Sequence, residues 1–209
     1  MKISLTRSKT RALIAAAGAA AVMVPVAAHA ATVIPIEYDA SGSTYIAKTK
    51  STIALGPTKL RTDLDVDTFD FTGTLPLPGT RTTFKVAGFI PVSANVDFIP
   101  VGQVEGHINL EGLNAEVTST AKYYVKLSNV KAAGLPTFVG STCKTAAPVV
   151  IPADTPEGEG FDLTAGGTLQ GTYTIGNFQN CGLMTGLINS LVPGGGNTAT
   201  IQVTNGIFL

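Results

Sequence analysis

The sequence predicts an all-β protein: an antiparallel β-sandwich, Ig-like or jelly-roll, with one short helix near the C-terminal part. Three observations carry this. Apolar and polar residues alternate with period two through the later part of the chain, the pattern of half-buried strands with one wet face. Such strands belong to antiparallel sheets, not to parallel sheets covered by helices. Charged residues are only 13% of the chain, about half the usual share, and threonine, glycine, valine and alanine dominate in their place. That palette suits a β protein with a neutral surface. Finally, there are two cysteines, Cys143 and Cys181. An even count behind an export signal reads as one disulfide.

Residues 1–30 read as a signal peptide. Lys2, Arg7, Lys9 and Arg11 make a basic start, Ala12 to Ala28 is an alanine-rich apolar run, and Ala28-His29-Ala30 is an A-x-A cleavage site. The run is short for a bilayer span, which wants ~20 apolar residues. No cysteine follows it to carry a lipid, and no paired arginines precede it. The expected product is a secreted or cell-envelope-associated protein. Cleavage leaves residues 31–209 as a single β-sandwich domain, large enough for a full core. It also removes four of the fourteen basic residues, leaving ten against fourteen acidic residues, a net charge of −4. No run of Lys or Arg survives along the chain. Nucleic acid and anionic membrane surfaces are therefore poor expected partners, since both need concentrated positive charge.

The strands follow in order. Phe84, Val86, Ile90, Val92, Ala94, Val96 and Phe98 share one parity, with Lys85, Ser93, Asn95 and Asp97 between them. Gly88 and Pro91 mark a break or an edge, so this run is expected to hold two strands. Val104, Ile108 and Leu110 alternate with Glu105, His107, Asn109 and Glu111. Val117, Ala121, Tyr123, Val125 and Leu127 alternate with Glu116, Thr118, Thr120, Lys122 and Lys126. Leu169, Tyr173 and Ile175 form another set, and Ala199, Ile201 and Val203 the last. Residues 146–160, with three prolines and two glycines, read as a long loop. The one helical stretch is Gly182 to Val192, where Leu183, Leu187, Ile188 and Leu191 fall at helical spacing and Pro193-Gly194-Gly195-Gly196 stops it. A disulfide at Cys181 would pin this helix to the segment near Cys143. Phe89-Ile90-Pro91-Val92 recurs as Phe98-Ile99-Pro100-Val101; on one continuous strand a nine-residue offset turns the copies to opposite faces.

The second half also carries Cys143-Lys144-Thr145, Gly171-Thr172-Tyr173-Thr174-Ile175, Phe178, Cys181-Gly182, Leu191 and Gly195-Gly196-Asn197-Thr198. In these it resembles a group of exported actinobacterial β-rich proteins of uncharacterised function. The resemblance implies a shared two-cysteine β-sandwich and carries over no catalytic residue.

Candidate chemistry is sparse. Asp63, Asp65 and Asp67 alternate along the chain, and three carboxylates so spaced, with Asp70, leave calcium open as a ligand. An EF-hand would need Gly and Glu where Thr68 and Thr74 stand. On a strand the three would share the wet face. His107 lies between Glu105 and Asn109 with Glu111 beyond, residues able to do acid–base work or to form a polar strand face. Tyr124 with Lys122 and Lys126 makes a modest recognition patch. No nucleophile elbow, cofactor motif or cluster of metal ligands is present.

These absences lead to the expectation of a protein that is not an enzyme and needs no cofactor. It would act by binding, or as a structural surface component of the envelope. Its apolar, weakly charged composition would line a cavity for an apolar small molecule or lipid, or form a face for self-association or for an envelope component. Two alternatives stand beside it: an envelope hydrolase using a carboxylate pair, with Glu105 and Glu111 as candidates, and a membrane β-barrel pore.

Overall fold

The structure, a computed structural model, describes residues 32–86, 89–110 and 115–209. The signal-peptide reading and Glu111 lie outside the described residues. Two long strands open the domain, β1 (Val33–Ile46) and β2 (Ser51–Asp65), paired as an antiparallel hairpin. Neither is among the strands read from the sequence; β1 does alternate, with Ile36, Tyr38, Ala40, Thr44 and Ile46 buried, whereas β2 changes phase. Its buried residues are Ser51, Ile53 and Leu55, then Leu60, Thr62 and Leu64. An irregularity at Gly56-Pro57, where Gly56 has φ +95° and the peptide bond is cis, changes the parity midway. A single extra residue in a strand turns every later side chain to the other face.

Then come β3 (Asp70–Thr74), β4 (Thr80–Val86), β5 (Ile90–Pro100) and β6 (Val104–Asn109). The expected break in the Phe84–Phe98 run is the β4–β5 hairpin. β5 holds Ile90–Val92 of the first copy and Phe98–Pro100 of the second; Phe98 is buried on the strand, while Phe89, in the turn before it, is exposed.

The axis of the fold is β7 (Glu116–Ala132). Thr120 pairs with both Glu105 of β6 and Pro152, and Tyr123 with both Pro100 of β5 and Val149. Strands β5 and β6 therefore share one edge of β7. The other edge takes β8 (Leu135–Pro136), β9 (Lys144–Thr145) and β10 (Val149–Pro152). β10 corrects the expectation of an unbroken loop over 146–160. Four residues ending in a proline are too few for periodicity to register.

The chain ends with β11 (Gly166–Ile175), β12 (Phe178–Gln179), a 3-10 turn (Gly182–Met184), the helix α1 (Thr185–Leu191) and β13 (Gly194–Phe208). All strand pairing is antiparallel, along the path β11-β13-β1-β2-β3-β6-β7-β5-β4. An isolated bridge between Asp154 and Gln170 brings the end of β10 against β11. Gly171 makes that approach feasible, because a Cβ there would run into the Pro152 carbonyl. The sheet thus wraps over a common apolar interior without closing, and β4 remains an edge.

The expected disulfide joins Cys143 and Cys181, both wholly buried. It indicates folding in an oxidising compartment. Among the described residues, no helix is long and apolar enough to cross a membrane.

The interior has two halves. Toward the β2–β3 turn it is filled. Tyr38 meets Phe161 edge-on at 5.9 Å and Phe98 meets Tyr123 at 6.3 Å. The Tyr123 hydroxyl donates to the Leu75 carbonyl at 2.7 Å and that of Tyr38 to the Leu163 carbonyl at 3.0 Å. Burial pushes both phenols above their ordinary value of 10.0, Tyr38 to about 12. Only about 60 Å³ of void remains there. Toward the helix the interior is hollow.

Candidate functional site

The hollow half is bounded by Thr44 and Ile46 of β1, Phe84 and Val86 of β4, Val92 and Ala94 of β5, and Val125 and Leu127 of β7. The helical segment covers it with Met184, Leu187, Ile188 and Leu191. These side chains do not meet across the interior, and they leave a void of about 270 Å³ lined almost wholly by apolar atoms. A cavity of roughly 150 Å³ with such a lining suffices for benzene and stays dry.

The cover is short and loosely buried. Of the helical apolar residues, Ile188 is buried, Leu187 half-exposed and Leu183 almost fully exposed. The helical spacing is present, but the stripe faces the cavity and the solvent rather than a filled core. Two devices hold the cover. The disulfide fixes its start. The Asn189 side chain accepts from the Phe178 amide at 2.7 Å and donates to the Phe178 carbonyl at 3.0 Å, clamping α1 to β12.

The few polar groups on the lining are nearly all paired. The Tyr173 hydroxyl lies 2.6 Å from Thr44 Oγ1, which itself donates to the Thr198 carbonyl at 2.9 Å. Burial raises the Tyr173 pKa, and the Thr44 contact opposes that rise. Thr49 and Ser51 share a bond of 2.7 Å, and Thr137 Oγ1 donates to the Val130 carbonyl at 2.9 Å. The exception is Thr82 on β4. It is buried, it lines the void, and its hydroxyl has no partner among the described residues. Buried polar groups rarely go unpaired.

The residues singled out from the sequence lie elsewhere. Asp63 and Asp65 end β2 and Asp67 sits in the following turn. Asp65 Oδ1 accepts from the Asp67 amide at 2.9 Å and the Thr68 amide at 3.4 Å, so it shapes the turn. No group of three or more His, Cys, Asp or Glu side chains suited to a metal gathers among the described residues. His107 pairs across strands with Asp70, Nδ1 to Oδ1 2.9 Å, and both are exposed. Glu105 instead faces Lys122, at 3.9 Å. Tyr124 carries a cation over its ring, but the cation is Lys144 of β9, at 4.0 Å, rather than Lys122 or Lys126. The cavity residues were missed one by one. The signal for them was collective: a surplus of apolar side chains over what one core needs.

No protein-family model, curated protein or solved structure matches the chain. The class it defines is read from its own fold and site: a disulfide-bonded antiparallel β protein, filled at one end and hollow at the other.

Proposed function

We propose that this chain is an exported, non-catalytic binding protein of the cell envelope or medium, and that its cavity holds the apolar part of a small ligand such as a lipid chain. The observation that carries the reading is the void behind α1. Unfilled apolar space of about 270 Å³ forgoes the contacts that a packed interior makes, which costs stability. Water relieves little of that cost, because an ordered water needs two or more polar partners and among the described residues the lining offers one unpaired hydroxyl, that of Thr82. An apolar ligand relieves it by restoring contacts on every side. The open sheet and apolar interior favour a binding protein over a water-filled pore, which needs a closed barrel with a polar lumen.

The experiment is native mass spectrometry of protein purified from its own host, followed by titration with an apolar fluorophore such as N-phenyl-1-naphthylamine. A co-purifying lipid, or fluorophore binding in the micromolar range, is expected. The Ala94→Phe variant fills the void from β5. It is expected to lose binding at least ten-fold while its denaturation midpoint holds or rises. Ligand-free protein that also ignores the fluorophore removes the reading.

A further inference from the structure

The cavity end carries a second pattern, on the outside. Phe89 in the β4–β5 turn is 74% exposed, Leu135 71%, Phe138 87% and Leu183 90%. The segments bearing these four also line the cavity, through Val86 and Ile90, Ala132 and Thr137, and Met184 and Ile188. The four therefore stand around the rim of the hollow end. Apolar side chains grouped in this way on a soluble surface mark a contact site.

The charges on the stretches nearest this rim are of one sign. None of the fourteen acidic residues falls in residues 41–56, 81–95, 128–146 or 176–196, which hold Lys48, Lys50, Arg81, Lys85, Lys131 and Lys144. Lys48 and Lys50 sit in the β1–β2 turn beside the C-terminal end of α1, where Lys48 Nζ donates to the Pro193 carbonyl at 3.1 Å. Lys85 and Lys131 flank the β4–β5 and β7–β8 turns. At the far end, Asp63, Asp65, Asp67, Asp70 and Glu116 lie around the β2–β3 turn and the start of β7. Apolar side chains are also exposed toward that end, among them Phe69 in the β2–β3 turn, Leu110 and Phe208, but among the described residues only the hollow end sets them amid basic residues with no carboxylate in the adjoining stretches.

We propose that this rim docks on an anionic lipid bilayer, with Phe89, Leu135, Phe138 and Leu183 entering the headgroup region and the lysines meeting lipid phosphates. The combination of apolar tips and lysines is that of an interfacial membrane contact. A second copy docked rim to rim would set lysines against lysines. A partner with a uniform negative surface and an apolar interior matches both halves of the pattern. Only the nature of the cargo rests on the cavity reading above: an acyl chain leaving the bilayer would meet the cavity directly behind the rim.

The test is co-sedimentation of the protein purified from its host with vesicles of phosphatidylcholine, with and without phosphatidylglycerol, at low and high salt. Sizing of the protein alone and fluorophore binding in solution accompany it. Binding to the anionic vesicles is expected, weakening at least ten-fold at high salt as screening shortens the reach of the lysines. Phe89→Ser, Phe138→Ser and Leu183→Ser combined, and separately Lys50→Glu with Lys85→Glu, are each expected to weaken it at least ten-fold while leaving fluorophore binding unchanged. Failure to bind anionic vesicles at low salt overturns the proposal, as does binding indifferent to both sets of variants. So does a head-to-tail oligomer that these variants dissociate. If vesicles bind as expected but the fluorophore does not, docking stands and the cavity reading falls; the reverse result leaves the cavity reading standing alone.

Discussion

Thr82 is the residue whose chemistry is least satisfied. Its neighbours on the inner face of β4 and β5 are apolar, and the register sets it opposite Ala94. A hydroxyl without a partner in such surroundings costs roughly 1–3 kcal/mol, whereas an apolar group of the same shape does not. Thr82→Val is therefore expected to stabilise the ligand-free protein by about 1 kcal/mol, read from the shift in urea midpoint. A ligand with an oxygen within reach of Thr82 would reverse the preference, so the variant is expected to gain less in loaded protein. A loss of stability in the ligand-free variant would show that the hydroxyl has a partner. Glu105, His107 and Tyr124 are the contrasting cases. Each is on the wet face, as its parity requires, yet its partner comes from a different strand in His107–Asp70 and Tyr124–Lys144. A sequence shows which face a residue occupies; it does not show which strand lies beside it.

At the scale of elements, the disulfide and α1 act together. Cys143 stands just before β9, with its carbonyl accepting from the Leu127 amide at 2.9 Å, and Cys181 precedes the 3-10 turn. The bond spans 38 residues, and closing such a loop is worth about 4 kcal/mol in chain entropy. The double variant Cys143→Ala, Cys181→Ala is expected to lose about that much, measured by denaturant unfolding. Loss of protection from hydrogen exchange is expected to be greatest in residues 182–191, because the helix buries only Ile188 and then relies on the Asn189 clamp. Uniform loss of protection across the sheet would contradict this. The element that periodicity could not find is β2. Its two half-strands each alternate cleanly, but the irregularity at Gly56-Pro57 puts them out of phase.

At the scale of the whole described domain, two properties change along the strands: filled gives way to hollow, and acidic turns give way to a basic rim. If the hollow end is normally occupied, stability must depend on ligand. Binding at a hundred-fold excess over Kd adds about 2.7 kcal/mol, which corresponds to roughly 5–10 °C in Tm for a domain of this size. Protein from its host is thus expected to melt that much higher than the same protein after extraction with organic solvent, and to recover when an apolar ligand is returned. Equal melting temperatures before and after extraction would show that the void carries no cargo. The lysines at the rim are what set the docking proposal against the expectation drawn from the linear sequence. Lys50, Lys85 and Lys131 are far apart along the chain, and the fold alone brings their strand ends to one side.

By itself the sequence determined the all-β class, the inward parity of β5, β6, β7, β11 and β13, the short helix after Cys181 and the pairing of the only two cysteines. These rest on local physics: the two-residue period of a strand, the helical spacing of four apolar side chains, and the even count of thiols. Tertiary structure decided the rest. Whether apolar residues fill a core or line a void depends on how far apart facing strands are held, and that distance belongs to the path of the sheet and the cover of α1. The partners of His107 and Tyr124, the isolation of the Thr82 hydroxyl and the gathering of distant lysines at one rim are likewise relations between elements. No single stretch of chain contains them.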